Sequence, residues 1–234
     1  MTRVMDTPPL SIVVLARNAA GTIPAVLAAL DEGRQAGLVR EILLVDGGST
    51  DYTVRRAEAA GAKVLVTPAG RGAQLAAGAA RVTGPWMLFL HADTVLAPGW
   101  AEAVTAFIAD PANQARAAVF GLELDDPDPR ARRIERLARW RGRTLGLPYG
   151  DQGLLISADF YRALGGYRPL PLMEDVDIVR RIGRARLVHL AVSAKTSAAR
   201  YRAGGWWLRP VRNLSILALY FAGLPPRFLR RLYG

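Results

Sequence analysis

Two polar residues directly after an apolar run have the spacing of a metal site. His91 and Asp93 follow the apolar residues 88–90, and in an extended backbone residues i and i+2 point to the same side. The Asp93 carboxylate is a hard oxygen ligand suited to Mg²⁺ or Mn²⁺, whereas the His91 imidazole is a nitrogen ligand that Mn²⁺ tolerates better than Mg²⁺. The pair predicts a divalent metal site, although a buried strand that ends in a polar turn has the same pattern.

An acidic segment further along the chain contains candidates for proton transfer. The residues Met173–Asp177 include Glu174, Asp175 and Asp177. Carboxylates in the first turn of a helix are stabilised by the partial positive charge there, which by itself accounts for the cluster. Burial raises the pKa of a carboxyl group toward neutral pH, where it can serve as a general base for a hydroxyl group. The segment therefore has two interpretations, a helix start and a catalytic base.

The segment Asp46–Asp51 has the composition of a ligand-binding loop. Its two glycines let the backbone approach a ligand, Ser49 or Thr50 can cap a following helix, and Asp46 can accept hydrogen bonds from a nucleotide's ribose or base. A turn-forming aspartate before two glycines is the structural alternative. The chain has neither the glycine-rich pyrophosphate fingerprint nor a Gly-x4-Gly-Lys phosphate loop. A bound diphosphate would therefore need another positive charge, and a metal ion is the obvious source.

The elements that must position these residues alternate in the first half of the chain. Short apolar runs alternate with Ala-rich stretches, as in βαβ units with a mainly parallel sheet. The predicted strands are Leu10–Leu15, Glu41–Val45, Lys63–Val66, Trp86–Leu90 and Val119–Leu124. Helices are predicted over Thr22–Gly33, Asp51–Ala60 and Arg71–Val82 from apolar residues at three- and four-residue spacing. In such open sheets ligands bind at the carboxyl ends of the strands, where the polar segments lie.

The turn-rich stretch 125–129 divides the chain by charge. Residues 1–127 carry 10 basic and 13 acidic side chains, a net charge of −3, whereas residues 128–234 carry 21 and 7, a net charge of +14. The residues Arg130–Arg143 are predicted to form a basic helix with Ile134, Leu137, Ala138 and Trp140 on one side. The excess charge predicts an anionic partner, or a solvated arginine-rich surface.

The rest of the second half is predicted to be mixed. A strand at Gly153–Ile156 precedes helices that begin at Ala158 and near Met173, and His189 is predicted to be a structural histidine on a strand. The apolar run Leu214–Leu224 has about half the length that a bilayer span needs. We expect one domain over residues 1–205 and a basic, amphipathic helical extension over residues 206–234.

Composition excludes several classes of protein. The chain has no cysteine, which rules out disulfides, thiolate metal sites and cysteine nucleophiles and favours a cytoplasmic setting. Its first apolar run is too short for a signal peptide. No DNA- or RNA-binding motif occurs, and a serine-hydrolase elbow is also missing. We therefore expect no nucleic-acid partner.

Taken together, the polar motifs resemble those of a known enzyme family. Asp46–Asp51, the apolar strand that runs into His91 and Asp93, Gly150–Gly153 and Met173–Asp175 resemble the inverting family 2 glycosyltransferases over residues 10–205. More narrowly, the segments 90–94, 150–153 and 197–201 resemble a bacterial subgroup associated with radical-SAM arsenosugar gene clusters. The resemblance implies an α/β GT-A fold, a Rossmann-like doubly wound and mainly parallel sheet with a basic helical C-terminal extension.

The resemblance also implies roles for individual residues. Asp93 is the last residue of the family's Asp-x-Asp metal motif, in which His91 replaces the first aspartate, and the cofactor is Mn²⁺ or Mg²⁺. Asp175 is the catalytic base, and Glu174 orients the acceptor or shares that role. The residues expected to bind a UDP- or GDP-sugar donor are Arg17, Asp46, Arg71, Asp93 and Arg200. Asp151 and Gln152 are expected to line the sugar or acceptor pocket.

The sequence is consistent with two functions. The first is a metal-assisted glycosyltransferase that moves a sugar to an acceptor hydroxyl, with the basic half held on an anionic membrane surface or against a lipid-linked or amphipathic acceptor. The alternative is a peripheral membrane-binding module with a non-catalytic nucleotide-binding domain. Either would sit in the cytoplasm on the inner face of the membrane. The apolar faces of the basic half have their own alternative, since they can pack on the core or form a homodimer interface.

Overall fold

A mixed sheet runs through the part of the chain that the computed structural model describes, residues 7–233 without the side chains of Arg200 and Tyr233. Its strands are β1 (Leu10–Ala16), β2 (Val39–Asp46), β3 (Lys63–Val66), β4 (Trp86–His91), β5 (Thr94–Leu96), β6 (Ala117–Leu124), β7 (Leu154–Ser157) and β8 (Leu187–Thr196). They are arranged in the order β3-β2-β1-β4-β7-β6-β8-β5. The first four are mutually parallel, whereas β7 runs antiparallel to both β4 and β6.

Helices cover both faces of this sheet. They are α1 (Ile23–Gln35), α2 (Thr53–Ala59), α3 (Arg71–Ala79), α4 (Trp100–Ala109), α5 (Pro129–Trp140), α6 (Ala158–Ala163), α7 (Glu174–Ile182), α8 (Ala199–Gly204), α9 (Leu208–Phe221) and α10 (Pro226–Tyr233). A five-residue π-helical turn, Arg141–Leu145, continues α5, and a 3-10 turn spans Gly150–Gln152. The predicted α/β architecture with a helical C-terminal extension is confirmed.

The strand β1 shows why the sheet lies between two helical layers. Its side chains alternate, so that Ile12 and Val14 join a buried cluster with residues of α1 and α4, and Val13 joins a second cluster on the opposite face. A strand buried on both faces is expected in a mainly parallel sheet covered by helices. The polar chemistry is therefore confined to the ends of the strands.

The predicted elements of the first half agree with the structure within about two or three residues at most ends, which is the usual uncertainty for element boundaries. The short strand β5 and the helix α4 were not predicted. The Trp100 ring of α4 packs closely on Gly33 of α1, since a Cβ added at Gly33 would lie 2.5 Å from the ring. The Trp100 Nε1 also donates a hydrogen bond to the Ala29 carbonyl at 2.9 Å. This long-range packing defines α4.

One prediction about the basic helix was wrong. Within α5, Ile134 and Ala138 are buried, but Leu137 and Trp140 are 56% and 57% exposed. An α-helix turns about 100° per residue, so Ile134 and Ala138, four residues apart, lie on the same side of the helix. Leu137 and Trp140 are rotated away from that buried side. The four apolar residues therefore face two different environments.

The C-terminal extension packs onto the α/β core. Ile216 and Leu217 of α9 and Leu229 of α10 are buried in the same cluster as residues of α3 and α7. The alternative that apolar faces of the basic half pack on the core is therefore met for these side chains. Among residues 7–233, no helix combines the length and the apolar character that a membrane crossing requires.

Candidate active site

A cleft lies at the carboxyl ends of β4 and β8, and its volume is about 100 Å³. This is the edge of the sheet where ligands bind in open α/β folds. It is lined by Arg71, His91, Asp93, Tyr149, Gly150, Asp151, Leu172, Met173, Asp175, Thr196, Ser197, Tyr201, Arg209 and Asn213. The structure therefore brings together five of the residues predicted from sequence, namely Arg71, His91, Asp93, Asp151 and Asp175.

Asp175 is held at the start of α7. Met173 adopts the left-handed conformation, with φ 65°, so the helix begins abruptly at Glu174. The Asp175 carboxylate accepts two backbone hydrogen bonds, from Gly150 N to Oδ2 at 2.9 Å and from Val176 N to Oδ1 at 2.8 Å. These donors fix the orientation of a carboxylate that lines the cleft.

Glu174, its neighbour, has a different environment. The side chain is 1% exposed, and its Oε1 lies 2.7 Å from Nε of Arg71 in an ion pair. Neither carboxylate oxygen accepts a well-directed hydrogen bond from the described residues. Burial raises the pKa of Glu174 to about 7; the Arg71 charge acts against this rise, and the Asp175 charge adds to it. Glu174 is therefore enclosed behind Arg71.

Arg71 links this buried carboxyl group to His91. Its Nη2 lies 3.1 Å from His91 Nε2. A guanidinium only donates, so Nε2 must accept and the proton of a neutral ring must be on Nδ1. Gly150 packs on this contact, because a Cβ there would lie 3.0 Å from Nε2. A metal ion can thus reach Nε2 only if Arg71 moves.

The position of Arg71 depends on a close approach between two segments. At the next residue, Gly72, an added Cβ would lie 2.3 Å from the Arg168 carbonyl oxygen and 2.7 Å from the Leu170 nitrogen. Both are backbone atoms, so the first turn of α3 would have to shift. Glycine is therefore required beside Arg71.

The turn Gly150–Gln152 brings a further carboxyl group into the cleft. The pKa of Asp151 is raised to about 6, chiefly by burial; the charge of Arg141 and that of Arg71 oppose the rise, and the charges of Asp175 and Asp93 contribute to it. Three carboxyl groups therefore interact across one cleft.

Gln152, which was predicted to line this pocket, is 1% exposed and is not among the lining side chains. Its Nε2 donates to the Phe120 carbonyl at 2.9 Å, and its Oε1 accepts from Tyr149 N at 3.3 Å. It holds the turn in place.

The predicted donor-binding residues of the first two loops lie outside the lining of this cleft. The buried Asp46 accepts hydrogen bonds from Gly48 N, Ser49 N and Ser49 Oγ, so its oxygens stabilise its own loop. Arg17 is exposed, and no hydrogen bond or ion pair joins it to the described residues. Its loop is joined to that of Asp46, since Ser49 Oγ accepts from Asn18 N at 2.7 Å. Nucleotide binding by Asp46 and Arg17 stays a prediction.

Several cleft residues were not predicted from the sequence. Arg209 and Asn213 lie on α9, Tyr201 lies on α8, and Tyr149 lies beneath the Arg141 guanidinium, which is 3.4 Å from its ring centroid. No local pattern marks them, because the folding back of the extension places them here. Arg200, predicted to bind the donor, is in α8, but its side chain lies outside the described residues.

Comparison with known proteins decides the family. The model described as Glycosyl transferase family 2 matches residues 11–164, about two thirds of the chain. The chain belongs to glycosyl transferase family 2. No curated protein sequence matches it. The matched region ends before α7, so it includes Asp93 and Asp151 but not Asp175.

Solved structures of glycosyltransferases share the fold. Glucosyl-3-phosphoglycerate synthase from Mycobacterium tuberculosis, solved with Mn²⁺, UDP and glucosyl-3-phosphoglycerate, is 22% identical, with a TM-score of 0.59 over 81% of this chain and 70% of that one. GalNAc-T7, solved with UDP, GalNAc and Mn²⁺, is 15% identical, with a TM-score of 0.62 over 82% and 44% of the two chains. These structures confirm the GT-A fold. Membership of glycosyl transferase family 2 confirms the prediction of a glycosyltransferase, and the alternative of a non-catalytic module is set aside.

Proposed function

We propose that the chain transfers a sugar from a nucleotide-sugar to an acceptor hydroxyl with inversion at the anomeric carbon, and that Asp175 is the general base. The observation that carries the proposal is the position of Asp175, whose oriented carboxylate lines the same cleft as Asp93 and His91. Glu174 is less suited to this role, because it is enclosed behind Arg71.

The two backbone donors to Asp175 explain how it would act. Each of its oxygens accepts one hydrogen bond and keeps a lone pair, so the carboxylate can take the proton of a hydroxyl without losing its orientation. As the acceptor hydroxyl loses its proton to Asp175, its oxygen would attack the anomeric carbon from the face opposite the leaving nucleotide. A single displacement of this kind inverts the configuration.

The donor set of the cleft fits a divalent cation that is shared with the substrate. Asp93 supplies a carboxylate, and among the described residues no group of three His, Cys, Asp or Glu side chains is placed to hold a metal ion. Oxygens of the donor diphosphate would complete the coordination, whereas His91 Nε2 already accepts from Arg71. When bound, Mn²⁺ or Mg²⁺ would neutralise the negative charge of the departing nucleoside diphosphate.

A UDP-sugar is the first donor to test, with GDP-sugars next, because UDP is bound in the similar solved enzymes. Arg71 reaches the cleft from α3, and we assign Arg17, Asp46 and Arg200 to the nucleotide on the strength of the family resemblance. The motifs at 90–94, 150–153 and 197–201 further support membership of the subgroup associated with radical-SAM arsenosugar gene clusters.

The test is a donor screen. Purified protein is incubated with UDP-, GDP-, ADP- and CMP-sugars, with and without Mn²⁺, and release of the nucleotide is measured. We expect metal-dependent hydrolysis of one donor class, which Asp93→Ala removes. Release that does not depend on metal, or that survives in Asp93→Ala, contradicts the metal assignment. No release from any donor contradicts the transferase.

We also infer that the transferase works at an anionic membrane surface on the cytoplasmic side. The outer face of α9 exposes Val211, Leu214 and Phe221 by 59%, 53% and 46%, and Trp207, directly before the helix, by 64%. Their successive spacings of four, three and seven residues place them on one side of the helix. The half of the chain that contains this stripe has a net charge of +14, and each basic residue near an anionic leaflet contributes about 1 kcal/mol. A second copy of the chain would bring the same positive charge, so a homodimer through this face is less favourable.

Co-sedimentation with vesicles tests this inference. We expect binding to phosphatidylglycerol vesicles at low salt and little binding to phosphatidylcholine vesicles. The double variant Trp207→Ser, Leu214→Ser should lose binding. Tyr52→Ser removes an equally exposed ring from α2's N-terminal cap, and it should bind like the wild type. Equal loss in both variants, or no binding by the wild type, removes the membrane inference and leaves the transferase untouched.

A further inference from the structure

An imidazole and a carboxylate follow each other at the carboxyl end of β4. His91 is the last residue of the strand, Asp93 comes two residues later, and both line the cleft. A nitrogen ligand beside an oxygen ligand favours Zn²⁺, Ni²⁺ and Cu²⁺ over Mn²⁺, because affinity for such sites rises along the first transition row. A transferase that uses Mn²⁺ or Mg²⁺ therefore gains selectivity if the imidazole is kept away from the metal ion.

Arg71 occupies the side of the imidazole on which a metal ion would bind. Its Nη2 lies 3.1 Å from His91 Nε2, and because a guanidinium only donates, the lone pair of Nε2 is directed at a cation. In the neutral ring the proton is then on Nδ1, so that nitrogen has no lone pair to offer either. Neither ring nitrogen of His91 can bind a metal ion while this contact is made.

Two further contacts hold the Arg71 guanidinium in this position. Its Nε lies 2.7 Å from Glu174 Oε1, in an ion pair whose carboxylate is 1% exposed. Gly150 packs against the contact, since an added Cβ there would lie 3.0 Å from His91 Nε2 and 3.5 Å from Arg71 Nη2. If Arg71 moved away, the enclosed Glu174 carboxylate would lose its countercharge, which is strongly unfavourable for a buried ion. Glu174 is therefore the anchor of Arg71.

We propose that Arg71, positioned by Glu174, withholds His91 from divalent metal ions, so that the cleft binds its metal through oxygen atoms. This inference rests on the proposed metal-assisted transfer, and it gives Arg71 and Glu174 a role in selecting the metal. Mn²⁺ and Mg²⁺ accept a shell of carboxylate, diphosphate and water oxygens, whereas Zn²⁺, Ni²⁺ and Cu²⁺ are denied the nitrogen that favours them. Glu174 acts through Arg71, so it is a positioning residue rather than a second base.

Nitrogen NMR of the histidine rings tests the proposal on the wild-type chain without nucleotide and without turnover. The chain has two histidines, so ¹⁵N-histidine labelling gives the signals of two rings, and His189→Gln identifies those of His91. The spectra are recorded at about pH 8, above the ordinary pKa of imidazole. We expect the His91 proton on Nδ1 and an Nε2 signal that added Zn²⁺ does not shift.

Variants of Arg71 and of its anchor should release the imidazole. In titration calorimetry without nucleotide, Arg71→Met should bind Zn²⁺ about tenfold more tightly than the wild type, the scale on which groups behind a metal ligand act, and its His91 Nε2 signal should shift. Glu174→Met should change both in the same direction, whereas Glu174→Gln keeps an oxygen acceptor for Arg71 Nε and should resemble the wild type. Arg71→Met is also made together with Glu174→Gln, which removes the buried charge that would otherwise be left unpaired.

Two controls separate a released nitrogen from a simple loss of positive charge. Arg71→Met combined with His91→Gln removes the cation and the imidazole together, and it should return to the Zn²⁺ affinity of the wild type. Arg209→Met removes one positive charge from the lining of the same cleft and leaves the contact between Arg71 and His91 intact. It should bind Zn²⁺ with less gain than Arg71→Met and leave the Nε2 signal unshifted.

Other outcomes overturn the proposal. A wild-type His91 that carries its proton on Nε2, or whose Nε2 signal shifts when Zn²⁺ is added, is not withheld from metal. If Arg71→Met gains no Zn²⁺ affinity, or keeps its gain when His91→Gln is added, Arg71 does not act on the imidazole. Failure of the transferase gives a different result, because the donor screen would then show no nucleotide release while these metal titrations and ring signals remain measurable on the same protein.

Discussion

Replacement of Glu174 by Gln should stabilise the protein above neutral pH, although it removes an ion pair. Glu174 is 1% exposed and receives no well-directed hydrogen bond from the part of the chain that the structure describes, so its ionised form is poorly solvated. The Arg71 contact at 2.7 Å offsets this only in part, since the pKa of Glu174 is still raised. A buried ion pair of this kind can cost more in desolvation than it returns.

The magnitude follows from the pKa of the buried group. A rise from 4.5 to about 7 corresponds to on the order of 3 kcal/mol between the protonation states. Because the folded state holds the proton more tightly than the unfolded state, this stability is fully present below pH 4.5. It is lost as the pH rises through about 7. Glutamine mimics the protonated carboxyl group, so Glu174→Gln keeps that stability at every pH.

The assay is urea unfolding of both proteins from pH 4.5 to about pH 8, with the free energy of unfolding compared at each pH. We expect similar stabilities at the acidic end and a gap of up to about 3 kcal/mol in favour of the variant at the alkaline end. Glu102→Gln, at an exposed glutamate of α4, is the control for the loss of a surface carboxylate. A variant that is less stable than the wild type by a constant amount at all pH values would refute the reasoning.

Four further variants test the cleft. Asp175→Asn should bind donor normally and lose transfer activity by about a hundredfold or more, as measured by single-turnover kinetics. If Glu174→Gln loses more transfer activity than Asp175→Asn, Asp175 is not the general base. Asp93→Ala should abolish metal-dependent turnover and weaken donor binding in calorimetry. His91→Asp restores the family's usual motif. If His91 is a metal ligand, this change should shift the preference between Mn²⁺ and Mg²⁺ in turnover, and an unchanged preference would place His91 outside the metal's ligands. Gly72→Ala should lower stability by about 1–3 kcal/mol in urea unfolding and weaken donor binding, because the first turn of α3 must shift.

The sequence predicted the parallel part of the sheet well, because those strands carry their signal locally. Ile12 and Val14 alternate with Val13 between two cores, and such continuous apolar runs occur where a strand is buried on both faces. The ends of these strands then locate polar residues at one edge, which is why His91 and Asp93 could be placed in the cleft.

Contacts between distant segments could not be predicted from the sequence. The Arg71 guanidinium joins Glu174, 103 residues further along, to His91, and no periodicity encodes that link. Likewise, Gln152 was expected in the pocket because its neighbour Asp151 lines it, but a 3-10 turn directs its amide to Phe120 instead. Adjacent residues in a turn point in different directions, so a motif identifies a region more reliably than a side chain.

The helix α9 connects the chemistry with the surface, because its two sides have different environments. Arg209 and Asn213 line the cleft, whereas Trp207, Val211 and Leu214 are exposed. At about 100° per residue, Val211 lies about 160° from Arg209 around the helix axis, so the apolar stripe is on the far side of the helix from the cleft. A bilayer docked on this stripe would therefore lie about one helix diameter, roughly 10 Å, from the bound substrate. An acceptor hydroxyl carried just above a lipid headgroup layer would have only this distance to cross, which is a physical reason for a glycosyltransferase to keep an apolar face beside its active site.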